Sequence, residues 1–118
     1  MLRLAHSFRF ALAGLAHLLR TQQNFRIEIA LGLIAVALGV WVGLAPGEWA
    51  VLATVTALVL ILEGLNTSLE LVVDLASPAL HPKAKAAKDI AAGMVLVAAL
   101  ASVAVGVALF VPRFWPGG

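Results

Sequence analysis

A chain of 118 residues that is 63% hydrophobic, 12% charged and free of cysteine excludes disulfide frameworks and cysteine-based metal sites, and carries about half the charge of an ordinary soluble domain. Its mean hydropathy of +1.06, without strand-like alternation, points to an all-α membrane protein forming a single domain over residues 1–118. The net charge of +2 rests on basic residues too few and scattered for a nucleic-acid footprint, so they read as membrane-surface anchors.

Residues 1–20 are predicted to form an amphipathic helix. At 100° per residue, Leu4, Phe8, Leu12, Leu15 and Leu19 fall in one arc, while Arg3, His6, Arg9, His17 and Arg20 lie mostly away from it. Such a helix is expected to lie in the membrane interface. A polar break follows over 21–26. Residues 27–45 are apolar except for Glu28, long enough at about 28 Å for one span. Pro46, Gly47 and Glu48 predict a tight turn, bracketed by Trp41 and Trp49 as interfacial aromatics.

The second span is predicted over 49–76, stopped by Ser77 and Pro78, with a polar loop at 78–84. The third membrane helix covers 85–111 and is expected to end at Pro112, with Phe114 and Trp115 near the same surface as Trp41 and Trp49. The terminal Pro-Gly-Gly is expected to be mobile. Arg3, Arg9, Arg20 and Arg26 precede the first span, and Lys83, Lys85 and Lys88 follow the second. The positive-inside rule therefore predicts a cytoplasmic N-terminus in a multi-pass protein of the bacterial cell membrane.

The second span carries polar residues where apolar ones are expected. Glu63, Asn66, Thr67, Glu70 and Asp74 stand at i, i+3, i+4, i+7 and i+11, on one helical face. Carboxylates at membrane depth are costly and point to function. Lys85, Lys88 and Asp89 share a face at the start of the third membrane helix, and the short loop predicts that the two faces meet. Carboxylates hold hard cations through oxygen, and lysine neutralises phosphate. Phosphoryl transfer needs this positioning and charge neutralisation, plus a base. No phosphate-binding glycine loop and no His-Glu-x-x-His zinc motif occurs. The rival readings are a non-enzymatic ion or proton pathway along the acidic stripe, and acids paired with lysines for structural reasons alone.

The run Glu63-x-x-Asn66-Thr67-x-x-Glu70-x-x-x-Asp74, with His81 and Ala87-Lys88-Asp89-x-Ala91-Ala92 after it, resembles the signature of the prokaryotic integral-membrane diacylglycerol kinase family, which includes undecaprenol kinases. The resemblance covers roughly residues 8–110. It implies a homotrimer with composite sites, ATP as phosphoryl donor, a magnesium ion and a lipid alcohol as acceptor. By the same resemblance, Glu63 would be the general base, Glu70 a metal ligand, and Lys88, Asp89 and His81 nucleotide-binding groups, with Asn66, Asp74 and Arg26 supporting the site. Asn66-Thr67 and the run Asn24-Phe25-Arg26-Ile27 resemble the undecaprenol branch more than the diacylglycerol branch.

One position departs from the pattern. Gln22 stands three residues before Phe25, where the family commonly has a metal-binding glutamate. An amide oxygen can bind a hard cation but brings no charge. Glu28 lies about 240° further round a helix and is not expected to replace it. A degenerate member acting only as a partner is the further alternative that Gln22 raises.

Overall fold

The computed structural model describes residues 2–79 and 81–114. These residues form four helices, α1 (Leu2–Thr21), α2 (Gln23–Val42), α3 (Pro46–Ala76) and α4 (Pro82–Phe114). The expectations for Trp115 and the terminal Pro-Gly-Gly fall outside the described residues. Helices α2, α3 and α4 are each long and apolar enough to cross a membrane. The most extensive packing joins α3 to α4, as the short connection between them requires, and α2 packs chiefly on α3.

The helix ends differ from the predicted spans. The polar break at 21–26 shrinks to one residue, since α2 begins at Gln23 and only Gln22 is extended, at φ −111° and ψ 107°. Arg26 stabilises this joint: its guanidinium donates to the carbonyls of Leu19 (2.8 Å) and Arg20 (3.2 Å), which α1 leaves without partners at its C-terminal end. Helix α2 stops at Val42 rather than residue 45, because Gly43 adopts φ +74° and both Gly43 and Leu44 donate their N–H groups to the Gly39 carbonyl.

Three prolines read as breakers lie inside helices. The predicted turn at 46–48 is the first turn of α3, with Pro46 where a missing N–H costs nothing. The Glu48 carboxylate accepts the Ala45 N–H at 2.9 Å, half of a capping box. Pro82 similarly opens α4 three residues before the expected start, and His81 Nδ1 accepts the Lys83 N–H at 3.0 Å, capping it. Pro112 lies within α4, which runs to Phe114. So near the end it removes one hydrogen bond where the helix is losing its partners anyway.

Little of the chain is buried. Among the described residues the buried apolar side chains are Phe25, Leu44, Leu52, Val59 and Ala98, while large apolar residues are exposed along all three long helices. This is the surface a bilayer covers. The predicted apolar arc of α1 also stays exposed. Leu18, outside that arc, instead reaches α3, its methyl 3.4 Å from where a Cβ on Gly64 would lie. The end of the bundle remote from α1 is fastened by Arg113 Nη2 on Glu48 Oε1 at 2.7 Å and by the Trp41 and Phe114 rings, 5.6 Å apart. On the same side, Gly39 is buried beneath Trp49, where an added Cβ would lie 2.7 Å from the indole.

Candidate active site

The polar stripe on α3 is graded by depth. Glu63 and Thr67 are buried, at 3% and 4% exposure; Asn66 and Glu70 are half-buried; Asp74 is exposed. Helical spacing spreads this gradient over about 16 Å. Thr67 Oγ1 donates to the Glu63 backbone carbonyl at 3.0 Å, a bond within the helix that leaves the Glu63 side chain unengaged. Glu63 Oε2 is buried and has no partner among the described residues. Most such groups in folded proteins are satisfied, so this one stands out.

Two further carboxylates interact electrostatically with Glu63. Glu70 lies along the same face of α3, and Glu28 comes from α2. The Glu28 Oε2 atom is also buried without a partner. Sequence reasoning missed this residue: it weighed Glu28 only as a substitute for Gln22, whereas the packing of α2 on α3 carries it to the buried end of the stripe. The available signal was an acid in an otherwise apolar span, the same signal that marked Glu63.

At the half-buried level, Asn66 Nδ2 donates to Glu70 Oε1 at 3.2 Å, and Asn66 Oδ1 is left buried and unpartnered. A carboxylate and an amide oxygen are hard donors. Among the described residues no three acidic or histidine side chains converge on one point. Glu70 and Asn66 nevertheless fit a magnesium ion, which commonly takes one or two protein ligands and completes its shell with water and substrate phosphate. Gln22 turns elsewhere, its amide donating to Thr21 Oγ1 at 3.3 Å.

The exposed level brings α3 and α4 together. Lys88 Nζ donates to Asp74 Oδ1, so the two faces expected to meet do so. Lys85 pairs with Asp89 at 2.7 Å along α4, an exposed i, i+4 pair. His81 uses Nδ1 as the cap of α4 and leaves Nε2 for other partners. Arg26 is engaged by the α1 carbonyls, so its place is at the joint. The arrangement as a whole puts a buried, unpartnered carboxylate oxygen at one end, hard oxygen donors in the middle and ammonium groups at the exposed end.

The profile of the prokaryotic diacylglycerol kinase family matches residues 9–110. A protein of Synechocystis sp. named diacylglycerol kinase is 48% identical over 107 residues, which cover 90% of this chain and 61% of that protein. The chain thus spans about three fifths of that relative's length. The undecaprenol kinase of Bacillus subtilis is 38% identical over 111 residues, covering 94% of this chain and 90% of its own. A diacylglycerol kinase of Pseudomonas aeruginosa is 31% identical over 96 residues, covering 81% and 78%.

Proposed function

The chain belongs to the prokaryotic diacylglycerol kinase family, and from that premise we propose that it is a membrane lipid kinase, moving the γ-phosphoryl group of ATP to a lipid alcohol. The observation that carries this reading is the buried Glu63 carboxylate, with one oxygen unpartnered, at the deep end of a stripe whose outer end meets Lys88. A lipid hydroxyl lies near the headgroup boundary and a nucleotide arrives from water. The gradient from Glu63 to Lys88 runs between those two depths.

In the proposed step, Glu63 Oε2 accepts the proton of the lipid hydroxyl. The hydroxyl oxygen forms a bond to the γ-phosphorus, and the bond from that phosphorus to the β–γ bridging oxygen breaks. ADP leaves with the electron pair, and the product is the lipid phosphate. Lys88, and secondarily Lys85, neutralise phosphate charge, while Asp89 and His81 Nε2 help place the nucleotide. Glu70 and the Asn66 carbonyl oxygen would hold the magnesium ion, which when bound offsets negative charge on the phosphates. Asn66 also orients Glu70 through the bond it donates.

Seven of the eight Lys and Arg residues lie at or before position 26 or between positions 83 and 88, which supports a cytoplasmic N-terminus and site. The exposed apolar helix faces and the bonding of the Gln22 amide to Thr21 rather than to Glu70 or Asn66 support a homotrimer in which sites are completed between copies. Asn66-Thr67 and the Asn24–Ile27 run support undecaprenol as acceptor. The relatives bear both names, so the assay must set the two alcohols against each other.

The test is transfer of labelled γ-phosphoryl from ATP, with magnesium, in vesicles containing undecaprenol or diacylglycerol. Glu63→Gln is expected to lower transfer by about 10²- to 10⁴-fold while ATP still binds. Absence of transfer to either alcohol by the native chain would reject the kinase reading. Flux of ions through the same vesicles, independent of nucleotide and lost in Glu63→Gln, would favour a conduction protein instead.

A further inference from the structure

Leu18 marks the side of α1 that faces the bundle. It is half-buried while every other described residue of α1 is exposed, and it reaches α3 at Gly64. At about 100° per residue, the apolar arc from Leu4 to Leu19 lies roughly 40° to 120° round the helix from Leu18. Arg9 and Arg20 lie about 180° and 200° round. The two arginines thus share the flank turned away from the bundle, just past the apolar edge and about 16 Å apart along the helix. Both are exposed, and no ion pair among the described residues involves either.

The chain supplies no counter-charge for this flank. No acid precedes Glu28, and the chain has only six. Glu48 is paired with Arg113, Asp74 with Lys88 and Asp89 with Lys85. Glu70 accepts from Asn66, and Glu28 and Glu63 each bury a carboxylate oxygen along α2 and α3. A second copy therefore brings no unpaired exposed carboxylate, and its own α1 flank would repel this one. The anion must come from outside the protein. With the apolar arc lying in the membrane interface, the arginines stand at headgroup level, where a guanidinium can extend to phosphate in a bidentate fork. We propose that Arg9 and Arg20 form a docking face for anionic phospholipid headgroups, so that the charge of the leaflet, and not apolar burial alone, holds α1 on the membrane.

The experiment measures hydrogen exchange of the full chain in vesicles of phosphatidylcholine, alone or with phosphatidylglycerol added. A cation near an anionic surface is worth about fivefold in binding, so two give roughly thirtyfold. Protection of α1 is expected to rise by about that factor in the anionic vesicles, with exchange in α3 unchanged. The gain should fade with added salt. It should vanish when Arg9→Gln and Arg20→Gln are combined, and persist when both arginines become lysine. Lys83→Gln, which removes a cation elsewhere, should leave it intact. Equal protection of the native chain in the two vesicle types would overturn the proposal, whether or not the glutamine variant folds. So would a gain that survives in a folded glutamine variant. Protection conferred by soluble polyphosphate but not by the anionic vesicles would overturn it too, and would assign the flank to a soluble polyanion.

Discussion

Replacing Lys88 by methionine separates two roles that its position allows. The Lys88 side chain is 37% exposed and its partner Asp74 is 64% exposed. At that exposure the pair is screened, and exposed ion pairs contribute about 0.2–1 kcal/mol, a factor of at most about fivefold in any equilibrium. A charge-assisted bond from Lys88 to phosphate would be larger, about 1.5–3 kcal/mol, or roughly 10- to 150-fold. The two effects therefore differ enough to be told apart. Lys88→Met is expected to raise KM for ATP at least tenfold, with the lipid KM unchanged. Asp74→Asn, which frees the ammonium without removing it, is expected to change KM for ATP less than fivefold. The double variant should match Lys88→Met alone. Kinetics in magnesium and vesicles, paired with unfolding midpoints in denaturing detergent, supply both readings. Equal small kinetic losses in the two single variants, with coupling visible only in the unfolding midpoints, would refute the reasoning and leave the pair a structural tie.

Other expectations concern metal binding and packing. Gln22→Glu should increase apparent magnesium affinity in a titration of activity, because a carboxylate brings charge that the amide lacks; no gain would remove Gln22 from the metal site. Gly39→Ala places a methyl 2.7 Å from the Trp49 ring and should destabilise the fold by about 1–3 kcal/mol, read from the detergent unfolding midpoint with Gly47→Ala, an open position, as the comparison. Arg26→Ala uncaps the end of α1, and hydrogen exchange should accelerate around residues 17–22 with little change in α3; uniform acceleration throughout would show a wider role.

The three spans were legible because each is a long apolar run, and the meeting of Asp74 with Lys88 followed from the short connection between α3 and α4. The prolines misled. Pro46 and Pro82 were read as interruptions, but a proline missing its N–H is at home in a first turn, and only capping by Glu48 and His81 distinguishes the two cases. Glu28 was overlooked for a different reason. Helical spacing relates residues within one helix, and Glu28 is brought to the Glu63 side of the bundle by the packing of α2 on α3. The division of labour along the stripe drew on resemblance, since spacing places acids on a face without saying which stays dry. Burial does: Glu63 is enclosed while Asp74 is open.

The single extended residue at Gln22 has a consequence for how this chain tolerates changes in length. Two helices of twenty residues each meet across it, so no slack separates them. Inserting or deleting one residue there would turn α1 by about 100° about its own axis, carrying Leu4, Phe8, Leu12, Leu15 and Leu19 off the plane they share. It would also misalign Arg26 with the carbonyls it closes. Five positions lie between α3 and α4, against one at the α1–α2 joint. The Gln22 joint has no such length, so the register of the exposed apolar arc of α1 is written in the residue count at that point.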